Sequence, residues 1–255
     1  MLEASVCIET LFTEVDLYTR PARVAEAGIG AVEFWGTEQK DLDRLKDACD
    51  DAGVEIAAFV GLGSRQLVAQ QDRNDMVAEL ETRCEIADDL DCDTLIVTVG
   101  NLDQELTLKE QIDNVINNLR ICARPAEEHN VLLAVEPLNT LVDHAGYFLD
   151  HTADAVDIVR QVDSASVGLL HDIYHMQIME GNLIQTIREN VDYFHHVHVA
   201  DVPGRNEPGT GEINYANVIA ALSDAGYEGH CGFEFRPSDT SVHAVERALQ
   251  ACGMG

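Results

Sequence analysis

The sequence predicts a single-domain (β/α)8 barrel, the TIM-barrel fold, over residues 1–255. The length of the chain is typical of one such barrel. Short apolar runs alternate with amphipathic segments along the chain, and several apolar runs in the second half end on metal-capable side chains. An open doubly wound sheet is the alternative, but the nearest phosphate-binding candidate, GIGAVEFWG, lacks the glycine spacing of nucleotide-binding loops.

Eight strands and eight helices are expected in strict alternation, which favours a closed parallel sheet over an open one. The strands are predicted at 4–8, 30–35, 54–60, 94–99, 131–136, 166–171, 195–200 and 230–235. The helices are predicted at 20–28, 38–53, 72–90, 107–130, 153–162, 183–191, 214–225 and 241–251. Three glycines follow helical segments and are expected to end them in the left-handed conformation: Gly28, Gly53 and Gly226.

The charge of the chain excludes several classes of partner. Forty-six acidic residues against sixteen basic ones give a formal charge of −30. We therefore expect no nucleic acid and no anionic membrane as partner, because both require a basic surface. Since 46% of the residues are hydrophobic, the acids are interpreted as a solvated shell around an ordinary core. A salt-adapted protein from a high-salt cytoplasm is the resulting hypothesis.

The remaining composition agrees with a cytoplasmic enzyme. The first residues, MLEASVCIETLF, show no secretory signal, and no apolar run is long enough to span a bilayer. The seven cysteines are scattered and never form a CxxC pair, so buried free thiols in a reducing compartment are expected. A small-molecule substrate is the expected partner, and the sequence leaves homo-oligomerisation open.

Four apolar runs of the second half each end by delivering a metal-capable residue: Glu136, Asp172, His198 and Glu234. Successive members are 36, 26 and 36 residues apart, close to the roughly 30 residues of one βα unit. Any one of them alone would be read as a helix cap or a surface charge, but the regular spacing favours a shared site at the barrel mouth. Three carboxylates and one imidazole suit Mg²⁺, Mn²⁺ or Co²⁺ with open coordination positions.

The same residues suggest proton-transfer chemistry. Glu136 and Glu234 would lie on opposite sides of a bound substrate, so that one could remove a proton from carbon and the other could return it to the neighbouring carbon. His175 could donate to a developing enediolate oxygen, with a packed structural histidine as the alternative. Arg205 could pair with a substrate carboxylate, with a salt bridge inside its own loop as the alternative.

Other polar and aromatic residues at the strand ends are given lesser roles. Glu33 is interpreted as a supporting or loop-anchoring residue. Trp35, Phe34 and Phe59 could wall the pocket, but core packing is the preferred interpretation. Three further histidines are interpreted as structural: His171, His195 and His196.

Four stretches of the chain, EPLNTLVDHAGYFL, DIYHMQIMEGNL, HVHVADVPGRNEPGTGEINY and GFEFRP, resemble the hydroxypyruvate isomerase family within the xylose-isomerase-like barrels. VEFWG near the start is a weaker match. The resemblance implies a TIM barrel in which Glu136 and Glu234 are both metal-bound and the acid/base pair. It also implies Asp172 as a metal ligand, with His175 and Arg205 contacting substrate.

One position departs from this resemblance: many hydroxypyruvate isomerases carry glutamine where this chain has His198. Histidine there is similar to related ketose epimerases, whereas the loop DVPGRNEPGTGEINY resembles the hydroxypyruvate branch. The expected reaction is hydroxypyruvate to tartronate semialdehyde through a cis-enediolate. A ketose 3-epimerase or a 2-oxo-tetronate isomerase is the nearest alternative, and a phosphodiesterase of abasic DNA or a non-catalytic ligand sensor is more remote.

Overall fold

Eight parallel strands close into a barrel in the computed structural model, which describes residues 2–62 and 65–254. Each strand pairs with its neighbours in the sequence, and the last strand pairs with the first. The predicted TIM-barrel class is therefore confirmed. The strands are β1 Glu3–Cys7, β2 Ala31–Phe34, β3 Glu55–Leu62, β4 Thr94–Val97, β5 Leu132–Val135, β6 Val167–Asp172, β7 Phe194–Val199 and β8 His230–Phe233.

Helices connect successive strands and surround the barrel. In the described part of the chain they are α1 Arg20–Glu26, α2 Leu42–Ala52, α3 Arg73–Asp89, α4 Leu108–His129, α5 Thr152–Val162, α6 Ile173–Met179, α7 Leu183–Asn190, α8 Tyr215–Asp224 and α9 Ser241–Cys252. Local sequence explains their ends. Thr107 and Glu110 form a capping box at the start of α4, and the three predicted terminating glycines all have positive φ.

The hydrophobic core has two parts. A large layer of aliphatic and aromatic side chains fills the space between the strands and the surrounding helices. A smaller cluster of Ala58, Ile96, Ala134 and Leu170 fills the inside of the barrel. The barrel interior is therefore packed, and polar side chains gather at its mouth, where the strands end.

The predicted strands agree with the observed ones to within two residues. One helix was not predicted: α6 follows Asp172 directly and is seven residues long. Its sequence, IYHMQIM, has no polar face, and four of its residues are buried, so it lacks the amphipathic spacing that identifies a surface helix.

All seven cysteines are free and buried, as expected. Over residues 2–62 and 65–254, no helix is both long and apolar enough to cross a membrane.

Candidate active site

The four predicted metal-capable residues come together at the carboxyl end of the barrel. Nδ1 of His198 lies 3.7 Å from Oε1 of Glu136, 4.0 Å from Oδ2 of Asp172 and 3.5 Å from Oε2 of Glu234. One ligand atom from each residue lies within 4.8 Å of the others, and all four side chains are buried. We call Glu136, Asp172, His198 and Glu234 the carboxylate cluster.

The strand ends explain this convergence. Glu136 and Glu234 are the first residues after β5 and β8, and Asp172 is the last residue of β6. His198 precedes the end of β7 by one residue and pairs with Asp172 in register. The carboxyl ends of the parallel strands all lie at the same end of the barrel. Glu136 and Glu234 therefore meet there although they are 98 residues apart in sequence.

Glu33, a buried residue of β2, contacts the Nε2 side of the His198 ring. Oε2 of Glu33 lies 2.9 Å from Nε2 of His198, and Oε1 lies 2.9 Å from Nε2 of His196. The hydroxyl of Ser5 also donates to Oε1. Glu33 is thus a supporting residue, as interpreted from the sequence, and His196 anchors it.

Asp172 has two functions in this arrangement. Its Oδ1 accepts hydrogen bonds from the backbone N–H groups of Tyr174 and His175, at 2.8 and 3.1 Å, and so caps α6. Its Oδ2 faces the cluster and lies 3.5 Å from Nε2 of His175. The helix-cap interpretation and the ligand interpretation are therefore compatible, because each uses a different carboxylate oxygen.

His175 is fully buried beside the cluster, and Asn139 determines which of its nitrogens carries the proton. The backbone N–H of Asn139 donates to Nδ1 of His175 at 3.1 Å, and the Asn139 side-chain nitrogen lies 2.7 Å from the same atom. Nδ1 therefore accepts, and the proton of the neutral ring sits on Nε2. Among the described residues Nε2 has no hydrogen-bond partner, so it is available as a donor.

Arg205 faces the cluster and does not pair with a glutamate of its own loop. Its Nη2 donates to Oε2 of Glu234 and lies 3.7 Å from Oδ2 of Asp172. The guanidinium carbon lies 5.2 Å from the centre of the Tyr174 ring. Its Nε is buried without a partner in the described part of the chain, so the group retains a donor for a bound ligand.

The loop that carries Arg205 is wound around a buried aspartate. Asp201 accepts four backbone N–H groups, from Val202 and Ile213 on Oδ1 and from Gly209 and Gly211 on Oδ2. Gly211 is required, since a Cβ there would meet the carbonyl oxygen of Val202 at 2.1 Å. Arg205 itself adopts φ +56, an unusual value for a side-chain-bearing residue.

Trp35 was expected in the core, and this prediction is wrong. The residue is 47% exposed at the barrel mouth, and its indole N–H donates to Oε1 of Glu234 at 2.7 Å. Phe34 and Phe59 are indeed core residues, stacked with their ring centres 5.2 Å apart. The sequence shows the aromatic cluster but not which ring lies beyond the strand end.

Burial and charge shift the pKa values of the site in opposite directions. Burial raises the pKa of Glu136 to about 7. Burial also opposes ionisation of Glu234, but the neighbouring His198 and Arg205 outweigh it and hold the pKa at about 2. The pKa of His198 is well above its ordinary value, because Glu33 and Glu234 overcome the effect of burial. Burial lowers the pKa of His175 to about 4, which keeps this ring neutral.

These features fit a divalent cation. The cluster contains three buried carboxylates and an imidazole whose Nδ1 is buried without a hydrogen-bond partner among the described residues. Glu33 on the far side of the ring accepts from Nε2–H, which leaves the lone pair of neutral His198 on Nδ1. Buried charges of one sign are costly unless a counter-charge pairs with them, and a hard cation with oxygen and nitrogen ligands would supply it.

The model of the xylose isomerase-like TIM barrel family matches residues 21–252. The chain belongs to this family. The hydroxypyruvate isomerase of Escherichia coli is 29% identical over 94% of this chain and 96% of its own length. The 2-oxo-tetronate isomerase of Cupriavidus necator is 29% identical over 90% of this chain and 91% of its own length.

Solved structures agree with the barrel geometry. The crystal structure of an AP endonuclease, family 2, from Brucella melitensis superposes with a TM-score of 0.88 and 30% identity, covering 96% of this chain and 97% of that one. D-psicose 3-epimerase from Clostridium cellulolyticum superposes with a TM-score of 0.80 at 22% identity, covering 96% and 89%. The similarity to D-psicose 3-epimerase shows a shared fold only.

The hydroxypyruvate isomerase and 2-oxo-tetronate isomerase relatives confirm the enzyme class expected from the motifs. This xylose isomerase-like barrel is an isomerase of the hydroxypyruvate isomerase type. Sequence reasoning had already singled out the carboxylate cluster, His175 and Arg205. It missed Asn139, whose signal is weak because an asparagine in a loop is usually a turn residue. It also missed Trp35 as a partner of Glu234.

Proposed function

We propose that the protein is a cation-dependent isomerase of small hydroxy-carbonyl acids, with hydroxypyruvate to tartronate semialdehyde as the first choice. One observation carries this proposal: two buried glutamates, Glu136 and Glu234, both lie within 3.7 Å of Nδ1 of His198, and Arg205 contacts Glu234 at the same mouth. Two carboxylates across a small space suit proton transfer between adjacent carbons, and a guanidinium suits a carboxylate substrate. The names of the relatives point to the same substrate class.

The cofactor we propose is Mg²⁺, Mn²⁺ or Co²⁺, held by Glu136, Asp172, His198 and Glu234. When bound, such an ion would polarise the substrate carbonyl and stabilise negative charge that develops on its oxygens. The predominance of carboxylate oxygens and the burial of the cluster support this choice over a closed thiolate site.

Proton transfer in this proposal is performed by the two glutamates. One of them, as the carboxylate, removes a proton from the hydroxyl-bearing C3 of hydroxypyruvate, and the electron pair of that C–H bond moves to form a cis-enediolate. The other, as the acid, delivers a proton to C2, while the hydroxyl proton on the C3 oxygen passes to the C2 oxygen, so that the C3 oxygen becomes the aldehyde carbonyl and the C2 oxygen the hydroxyl.

His175 and Arg205 bind the substrate in this scheme. The Nε2–H of neutral His175 would donate to the developing enediolate oxygen, and Asn139 keeps the proton on that nitrogen. Arg205 would pair with the substrate carboxylate through its unpartnered Nε and the adjacent N–H groups. The backbone hydrogen bonds to Asp201 fix the loop that carries Arg205 before substrate arrives.

Two neighbouring activities use the same residues. A 2-oxo-tetronate isomerase would require a longer acid and the same guanidinium, and the Cupriavidus relative favours it as the second candidate. A ketose 3-epimerase is less favoured, because an arginine facing the cluster has no carboxylate to bind in a neutral sugar.

A phosphodiesterase of abasic DNA is the remote alternative, given the name of the Brucella structure. The formal charge of −30 argues against it, because a DNA-binding protein needs basic residues to neutralise phosphates. We accordingly propose a cytoplasmic enzyme with small-molecule substrates, and neither nucleic acid nor membrane as partner.

The direct test replaces each glutamate separately. Glu136→Gln and Glu234→Gln should each abolish turnover of hydroxypyruvate, by at least ~10²-fold, while circular dichroism and the melting temperature show a folded protein. Glu105→Gln, at an exposed glutamate, is the matched control and should retain the wild-type rate. Near-wild-type turnover in either cluster variant would refute the two-glutamate mechanism.

A further inference from the structure

Trp35 connects the second strand of the barrel to the last one across the mouth. It is the first residue after β2, and its indole N–H donates to Oε1 of Glu234, 199 residues later in the chain, at 2.7 Å. Trp35 is 47% exposed, so hydrophobic burial does not explain its position. The hydrogen bond instead explains why this position carries an indole, whose N–H donates to Glu234, and not another aromatic ring.

The backbone that carries Trp35 is itself fixed by one of the three lysines of the chain. Nζ of Lys40 donates to the carbonyl oxygens of Trp35 and Gly36, at 2.9 and 2.8 Å, and lies 2.8 Å from Oε1 of Glu9. The Lys40 side chain is only 13% exposed. A loop held in this way can place an indole N–H with little conformational freedom.

The two oxygens of Glu234 consequently have different surroundings. Oε1 accepts from the Trp35 indole and lies 4.0 Å from Sγ of Cys7, a buried thiol. Oε2 faces the cluster, 3.5 Å from Nδ1 of His198, and accepts from Arg205. A carboxylate with one oxygen already bonded cannot rotate freely, so the identity of the oxygen that faces the centre is determined.

We propose that Trp35 is a positioning residue for the isomerase reaction: it holds Oε1 of Glu234 so that Oε2 is the oxygen turned towards the cluster and the reacting carbon. This inference rests on the proposed function, in which Glu234 transfers a proton. A misoriented carboxylate would still allow substrate to bind, but it would reach the reacting proton in fewer conformations. The effect should therefore fall on kcat and leave KM nearly unchanged.

The contact can be tested without any assay of turnover, because Trp35 is the single tryptophan of the chain. A ¹⁵N–¹H spectrum contains one indole Nε1–H signal, and a hydrogen bond to a carboxylate displaces it downfield. Glu234→Gln should shift this signal upfield, whereas Glu105→Gln should leave it in place. An indole signal that does not respond to Glu234→Gln would overturn the inference.

The kinetic test uses Trp35→Phe, which keeps an aromatic ring and removes the N–H donor. We expect kcat for hydroxypyruvate to fall roughly 10-fold, the lower end for loss of a supporting hydrogen bond to a functional side chain, with KM within about twofold. Leu141→Ala, at another exposed apolar residue, is the matched control and should retain the wild-type kcat. A wild-type kcat in Trp35→Phe would contradict the positioning role.

The two tests separate the inference from the proposed function. If wild-type protein with Mn²⁺ does not isomerise hydroxypyruvate, the proposed function fails on that substrate. The indole signal still decides whether Trp35 holds Glu234: displacement that depends on Glu234 supports the inference, and its absence overturns it.

Discussion

Oε2 of Glu33 lies 2.9 Å from Nε2 of His198, and this contact determines which nitrogen of the imidazole faces the carboxylate cluster. A carboxylate only accepts, so Nε2 carries a proton and the lone pair of the neutral ring is on Nδ1. Both side chains are at most 2% exposed. The second oxygen of Glu33 is bonded to His196 and Ser5, so Glu33 cannot easily turn away.

Replacement of Glu33 by glutamine should weaken cation binding. A glutamine amide offers one acceptor oxygen where the carboxylate offers two, so His196 and His198 can no longer both donate to it. We expect the Kd for Mn²⁺, measured by isothermal titration calorimetry, to rise roughly 10- to 100-fold. Glu55→Gln, at an exposed glutamate bonded to His230 at the other end of the barrel, should bind Mn²⁺ as the wild type does. An unchanged Kd in Glu33→Gln would show that Glu33 does not support His198.

Replacement of Gly232 by alanine should disturb the same network through its packing. A Cβ at Gly232 would meet Oε1 of Glu33 at 2.3 Å and Cδ2 of His198 at 2.7 Å. Both partners are buried and bonded, so we expect a loss of about 1–3 kcal/mol of unfolding free energy and weaker Mn²⁺ binding. Gly30→Ala is the control, since a Cβ there meets no atom within 4 Å. Equal urea midpoints for the two variants would contradict this account.

His171 should make stability depend on pH. Burial lowers its pKa from 6.5 to about 4. As pH falls below 6.5 the unfolded chain takes up the proton first, so this contribution to stability is present above 6.5 and is lost progressively down to about 4. Between pH ~7.5 and ~5.5 the wild type should lose about 1.4 kcal/mol more than His171→Phe, whose ring can stack on Phe194 as the imidazole does. Parallel urea-midpoint curves for the two proteins would rule this out.

The acidic surface should make stability depend on salt. The formal charge of −30 comes from acids spread along the whole chain, and the ion pairs of the helices are largely exposed. Raising salt from 0.1 to 1 M shortens the screening length from about 10 to about 3 Å, which reduces repulsion in the folded state. The melting temperature should therefore rise along a KCl series. A melting temperature that stays constant or falls would remove salt adaptation as the explanation of the charge.

The sequence was most informative where side chains follow strands. Alternation and spacing predicted β5 to β8 closely, and closure of the sheet then brought Glu136, Asp172, His198 and Glu234 together without further information. The barrel geometry causes this convergence, because all parallel strands end at the same end of the barrel. The residues at strand ends could for that reason be predicted as a group.

Residues outside this regular pattern could not be predicted. Helix α6 is short and apolar, so periodicity does not reveal it. Trp35 directly follows the core residue Phe34 in sequence, and only the path of the loop after β2 turns it towards Glu234. The orientation of Arg205 depends on hydrogen bonds to Asp201 from residues up to twelve positions later, which no local pattern encodes.

Isomerisation of hydroxypyruvate in D₂O by the Mn²⁺-loaded protein tests the central claim most directly. If one glutamate removes the C3 proton and the other delivers a solvent-derived proton to C2, the tartronate semialdehyde formed carries deuterium at C2. Mass spectrometry of the reduced or trapped product measures this. Tartronate semialdehyde without deuterium at C2, as direct hydride transfer between the carbons would give, contradicts the two-glutamate mechanism.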